Sequence, residues 1–323
     1  MAAHYTDNGQ RRKDWKTPPG VLTLQKMSLR GVGRILRLPL FVTAVADVTA
    51  GYFVALAPNW EQFDWTRLAL LAGVSTGLYL FGMVQNDLVD LRRDRFLKVP
   101  RPLVTGEIGI GAAVVLLVLT ALLAGACASP LQGGALVLAI LTFGAINLYN
   151  LGAKRGPVHI AMISMGLCRL LNFGIGVTAA IGTPRELAWS LLLPSASTMW
   201  VRQGLALFFL TVVVTGYSIA AREKYTMTSR VWQAAFIASA VAGFAMIALS
   251  TVLDSDADGE IRFIAPVARV LAALLLPALW PGGLWAPTGP ERKPEEYEAF
   301  IPRALYWCIV MDAAFVLDRM IAG

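Results

Sequence analysis

Long unbroken apolar stretches constrain the fold of this chain more than any other feature. Nine can be read, at residues 35–57, 67–87, 108–128, 132–151, 159–181, 199–220, 231–252, 262–281 and 302–321. Each is long enough, at about 1.5 Å per residue, to carry a helix across about 30 Å of hydrocarbon. A β-barrel would instead show alternating segments of about ten residues. The fourth and eighth stretches are the marginal ones and leave a helical hairpin or a re-entrant segment open there. The expected class is an all-α polytopic membrane protein with about nine transmembrane helices. Composition agrees. Apolar residues make up 56% of the chain and charged residues 15%, against about 45–50% and about 25% in soluble proteins. A disordered chain, a coiled coil and a soluble globular enzyme are all excluded on that balance.

The 28 basic residues exceed the 21 acidic ones, for a net charge of +7. Their placement matters more than their number. With the N-terminus inside, 20 of the 28 fall on inside segments and 5 on outside connections. Basic residues concentrate on the cytoplasmic side of membrane proteins, so the N-terminus is expected in the cytoplasm and the C-terminus outside. The positive balance is read as a topology signal, with no nucleic-acid partner. Residues 1–33 read as a cytoplasmic basic, amphipathic N-terminal segment. There Leu22, Leu29 and Val32 oppose Lys26 and Arg30, which suits an interface with anionic lipid. Residues 34–323 read as one transmembrane domain, entered by a turn at Pro39. No secretory signal pattern is expected. Cys127, Cys168 and Cys308 are isolated and suggest no metal site.

The chemistry concentrates at the end of the second stretch, in Asn86-Asp87-Leu88-Val89-Asp90-Leu91-Arg92-Arg93-Asp94. Asp87, Asp90 and Asp94 stand at i, i+3 and i+7, so a helix places all three carboxylates on one face, with Asn86 beside them. Three like charges near a membrane interface repel. Two readings follow. A hard divalent cation sits among them, and Mg²⁺ typically shares its shell with substrate phosphates. Otherwise the stretch is a solvated helix end neutralised by Arg92, Arg93 and Arg95.

This stretch resembles the first aspartate-rich motif of the UbiA superfamily of intramembrane prenyltransferases. Arg101-Pro102-Leu103-Val104-Thr105-Gly106-Glu107-Ile108 is similar to that family's continuation, and Tyr149 followed by Lys154-Arg155 is similar to its basic motif after the fourth span. The resemblance implies nine helices around a lipid-accessible central cavity. It implies an isoprenoid diphosphate held through Mg²⁺ on the cytoplasmic side, with the prenyl group passing to an acceptor, often aromatic. Carried over, Asp87, Asp90 and Asp94 are the catalytic residues and, with Asn86, the metal ligands. Asn86, Arg101, Tyr149, Lys154 and Arg155 become substrate-binding residues.

One place departs from the family pattern. A second aspartate-rich motif belongs at the end of span six. Here that position reads Tyr217-Ser218-Ile219-Ala220-Ala221-Arg222-Glu223-Lys224-Tyr225, with a single carboxylate. Arg222 and Lys224 are expected to meet the diphosphate directly, in place of a second metal; the same residues also suit a plain basic inside loop with an Arg222–Glu223 pair. Intramembrane charges add to the pattern: Asp47 in span one, Arg169 with Asn172 in span five, Arg269 in span eight and Asp312 in span nine. Buried charges in a bilayer pair or face a wet cavity, so these form structural ion pairs or contact substrate. Arg169 and Asn172 join the substrate-binding candidates. Together with the altered second motif, these residues resemble the EboC-type branch of UbiA-like proteins, found in bacterial secondary-metabolite gene clusters. That implies a bacterial inner-membrane location. A non-catalytic isoprenoid or metabolite carrier is the rival reading. The acidic loop Asp254 to Glu260 matches the start of a calcium loop but has Ala265 where the last ligand belongs, and is expected to be a solvated outside connection.

Overall fold

The computed structural model describes residues 28–56 and 59–181, most positions between 201 and 216, and positions 309, 312, 313 and 316. The basic N-terminal stretch, the altered second motif and the Asp254–Glu260 loop lie outside the described residues, as do spans seven and eight. Among the described residues every regular element is helical.

Helix α1 (Leu29–Leu36) starts where the Ser28 side chain accepts from the Gly31 amide, and ends at Arg37 in the left-handed region (φ 48, ψ 47). Pro39 follows, so the chain cannot run straight on. The expected first span therefore divides. Its first two residues, Ile35 and Leu36, end α1, which also holds Arg30 and Arg34 from before that span, and α2 (Leu38–Leu56) forms the span proper. The turn expected at Pro39 is made two residues earlier, by Arg37.

Helix α3 (Trp65–Phe96) begins at Asp64, whose side chain caps the Thr66 amide, and runs for 32 residues. That is about 48 Å at 1.5 Å per residue, well beyond the hydrocarbon core. The polar segment expected as a loop after Asp87 is helical as far as Phe96, because Leu88, Val89 and Leu91 keep the apolar period. Then α4 (Pro102–Thr105) forms one turn with proline at its first position and Gly106 closing it at φ 74. Proline is well suited to a first helical position and glycine to that φ.

Three more long helices follow: α5 (Ile110–Ala128), α6 (Gly133–Leu151) and α7 (Val158–Ile181), with a 3₁₀ turn at Ala153–Arg155. Among the described residues, five segments are long and apolar enough to cross a membrane. The outer faces of α5 and α6 expose Val118, Leu119, Leu122, Ile140 and Leu141. Water would penalise that surface and lipid does not. The chain is an integral membrane protein.

Helix α2 packs on α3 and α7, α3 on α5 and α6, and α6 on α7. The α2–α7 crossing is close. A Cβ on Gly51 would stand 2.2 Å from the Phe173 carbonyl oxygen, and one on Gly176 would stand 2.0 Å from that of Val48. Small residues let membrane helices approach at backbone distance. The crossing holds Asp47 of α2 against Arg169 and Asn172 of α7, one to two turns away. At its far end α7 receives a hydrogen bond at the Ala179 carbonyl from Arg67 Nη1, at 3.0 Å.

Candidate functional site

The last turns of α3, the α4 segment and the Ala153–Arg155 turn converge at one end of the bundle. Asp87, Asp90 and Asp94 share one face of α3, as their spacing requires. All three are buried, at 3%, 8% and 6% exposure. They do not form a solvated helix end.

Three cations from elsewhere in the chain pair with them. Arg101, the residue before α4, reaches two turns of α3 at once: its Nη1 pairs with Asp87 Oδ1, and its Nε lies 3.1 Å from Asp94 Oδ2. The second contact is ionic and lacks the alignment of a hydrogen bond. Arg37 Nη2 approaches Asp87 Oδ1 at 3.4 Å. Lys154 Nζ lies 2.9 Å from both Asp90 Oδ1 and Asn86 Oδ1. The left-handed turn at Arg37 and the 3₁₀ turn at Lys154 are thus the local structures that aim these side chains. Arg155 stands at the exposed edge, with Nη2 3.5 Å from the Val89 carbonyl oxygen.

A polar ladder that sequence reading missed ties α3 to α6. Gln85 Nε2 donates to Asn147 Oδ1 at 2.6 Å. Asn150 Nδ2 donates to Gln85 Oε1 at 2.8 Å and to the Gly82 carbonyl at 3.1 Å. Gln85 and Asn150 are buried polar residues inside spans, which was the available signal. The ladder fixes the rotation of α3 that turns Asn86 and Asp90 toward Lys154.

The cluster opens onto a cavity of about 230 Å³ inside the bundle. Arg37, Asn86 and Tyr149 line it at the mouth, and Leu40, Leu78, Tyr79, Met83 and Ile146 line its flank. Its inner end is polar. Arg169 Nη1 meets both oxygens of Asp47, at 2.6 and 2.5 Å, and Nη2 donates to Thr43 Oγ1 at 2.8 Å. Asn172 donates to the Ala44 carbonyl at 2.8 Å. Of the sequence candidates, Asn86, Asp87, Asp90, Asp94, Arg101, Tyr149 and Lys154 gather at the mouth, whereas Arg169 and Asn172 form the inner end. Arg222, Lys224 and Arg269 lie outside the described residues.

The donor set suits a hard divalent cation, being buried carboxylates with one amide oxygen. Among the described residues no three carboxylates converge as a ligand set. A cation here would take one or two of them and fill its shell from phosphate and water, which is the usual Mg²⁺ arrangement.

No protein-family model matches the sequence, and no curated protein matches it. Solved structures do match. A UbiA homologue from Archaeoglobus fulgidus, solved with GPP and Mg²⁺, is 16% identical with a TM-score of 0.60, covering 88% of this chain and 99% of its own. The fold is UbiA-like. A UbiA homologue from Aeropyrum pernix K1 is 15% identical with a TM-score of 0.60, over 87% and 97% of the two chains. A digeranylgeranylglyceryl phosphate synthase is 17% identical with a TM-score of 0.58, over 91% and 99%. Within the UbiA-like fold, the buried carboxylates and their cations sit at the end of α3, beside the mouth of the central cavity.

Proposed function

We propose that this chain is a membrane-embedded prenyltransferase of the UbiA type. It takes an isoprenoid diphosphate with Mg²⁺ at the mouth of the cavity and passes the prenyl group to an acceptor within it. One observation carries this reading: three buried carboxylates are matched by three cations where an apolar cavity opens. A scaffold has no use for that balance. A site for a metal-bound diphosphate does, because each carboxylate turned toward a cation frees an Arg or Lys for phosphate. UbiA homologues solved with GPP or DMAPP and Mg²⁺ support it.

In this reading Asn86, Asp87, Asp90 and Asp94 are the ligand set from which Mg²⁺ would take one or two carboxylates at a time, and the ion would supply charge to meet that growing on the departing diphosphate. Arg101 and Lys154 exchange their carboxylate partners for phosphate oxygens, with Arg155 at the rim and Tyr149 lining the entrance. Arg222 and Lys224 complete the phosphate contacts where relatives would hold a second metal. The tail lies in the cavity, whose apolar flank excludes water from the allylic carbon. Nine spans, a cytoplasmic N-terminus, a bacterial inner-membrane location and the EboC-type branch belong to the same proposal.

The test is purified protein with Mg²⁺ and a series of isoprenoid diphosphates, reading pyrophosphate release. Mg²⁺-dependent release supports the proposal. Saturable diphosphate binding with no release, alone or with acceptors, supports instead a non-catalytic carrier, the reading favoured by the single carboxylate at residues 217–225.

A further inference from the structure

Lys154 meets two of the oxygen atoms that the mouth offers to a metal. Its Nζ lies 2.9 Å from Asp90 Oδ1 and 2.9 Å from Asn86 Oδ1. Asn86 and Asp90 are one turn apart on α3, on the same face. The Lys154 side chain is only 10% exposed, so protein oxygens rather than bulk water hold its ammonium. Asn86 is oriented for this contact from its other end. Its Nδ2 faces Asp87 Oδ1 at 3.4 Å, which turns Oδ1 toward Lys154. A carboxylate has two oxygens to share, but an amide has one. Lys154 and a metal therefore draw on the same atom of Asn86.

The two cannot both use it cheaply. A Mg²⁺ ligated by Asn86 Oδ1 at about 2.1 Å would lie within about 5 Å of Nζ, given the 2.9 Å contact. Cations that close repel strongly where water is scarce. The wider balance points the same way. Asp87, Asp90 and Asp94 are already matched by Arg37, Arg101 and Lys154. A bare Mg²⁺ adds uncompensated positive charge to that buried cluster, and a diphosphate arriving with it cancels the excess. Arg101 is the less movable of the two close cations, since its Nη1 and Nε reach Asp87 and Asp94 across two turns of α3. Lys154 is a point charge on a flexible stem, carried by a 3₁₀ turn.

We propose that Lys154 is a specificity-determining residue: it excludes the free metal from Asn86 and Asp90 and releases both to the metal when a diphosphate takes its ammonium. The inference rests on the reading of the mouth as a site for a metal-bound diphosphate and adds how the two components are made to depend on each other. By linkage, the diphosphate raises metal affinity by the same factor as the metal raises diphosphate affinity.

Calorimetry on the full chain in nanodiscs tests this with Mg²⁺ alone and inorganic pyrophosphate alone. Lys154→Met should bind Mg²⁺ at least about 10-fold tighter than the unaltered chain. It should bind pyrophosphate at least about 10-fold more weakly, the loss of one charge-assisted contact. Lys154→Arg keeps the charge and should leave Mg²⁺ binding as weak as in the unaltered chain. A merely structural lysine does not give opposite signs, because a damaged mouth loses both ligands. Lys154→Gln serves the same comparison where the methionine variant does not fold. Mg²⁺ binding that is unchanged or weaker in the neutral variants overturns the inference. So does equal Mg²⁺ affinity in Lys154→Arg and Lys154→Met, or pyrophosphate binding that ignores the substitution. Isoprenoid diphosphates that bind with Mg²⁺ but release no pyrophosphate would sink the prenyltransferase reading and leave this coupling standing. Mg²⁺-dependent release with metal affinity untouched by Lys154→Met would sink the coupling alone.

Discussion

The two polar clusters of this cavity are built on opposite principles. At the mouth, three carboxylates on one helix face three cations delivered by a turn, a loop and a 3₁₀ segment. At the inner end, one guanidinium is shared between α2 and α7 where the backbones cross at Gly51 and Gly176. The mouth cations sit on short connections that a ligand can recruit. The inner Arg169 sits mid-helix, with neighbours fixed by glycine contacts. A charge cluster meant to change partners is therefore carried on connections, and one meant to hold its shape is carried on crossing helices.

The hardest blow to that contrast is Arg169→Ala. It leaves Asp47 buried without its cation and should cost about 3–5 kcal/mol of stability, read as a lower melting temperature in detergent. Asp47→Ala added to it should restore part of the loss. Asp87→Ala attacks the mouth instead. Diphosphate affinity should fall by about 2–5 kcal/mol, or about 30- to 5000-fold, as for a buried charge stripped of its partner. Melting should change far less, and a melting loss equal to that of Arg169→Ala would erase the distinction. Arg222→Ala sharpens it from outside the described residues. Loss of one guanidinium–phosphate contact should weaken diphosphate binding about 10- to 150-fold, with Arg222→Lys recovering part; titration should saturate at one Mg²⁺ per chain. Gly176→Ala pushes the crossing helices apart and should cost about 1–3 kcal/mol, as overpacking does, read as a lower melting temperature. The smallest effect is at the rim. Arg34 pairs with Glu107, but their side chains are 42% and 28% exposed, so Arg34→Ala should change stability by less than about 1 kcal/mol.

Much of this was readable before any coordinates. The spans α2, α3, α5, α6 and α7 follow from hydropathy, and the shared face of Asp87, Asp90 and Asp94 follows from helical period alone. The extension of α3 past Asp87 was obscured because Arg92, Arg93 and Arg95 look like a basic loop, although Leu88 and Leu91 continue the helix. Partners were harder still. Arg101 stands 14 residues from Asp87, Lys154 stands 64 from Asp90, and Arg169 stands 122 from Asp47. Such pairings depend on how helices rotate and cross, which in turn depends on Gly51, Gly176 and the Gln85–Asn147–Asn150 ladder. Isolated glycines and amides inside apolar stretches carry no periodic signal of their own.

Helix α3 is longer than any bilayer core, and from Asp87 to Phe96 its last nine steps cover about 14 Å. Its carboxylates therefore have an elevation relative to the lipid headgroups that membrane thickness and helix tilt both set. In thin, short-chain bilayers the mouth would ride high among hydrated headgroups, and in thick ones it would sink toward the acyl chains. The host membrane thus becomes a tuning element: its hydrophobic mismatch with α3 adjusts the dielectric around three buried aspartates without altering a single residue.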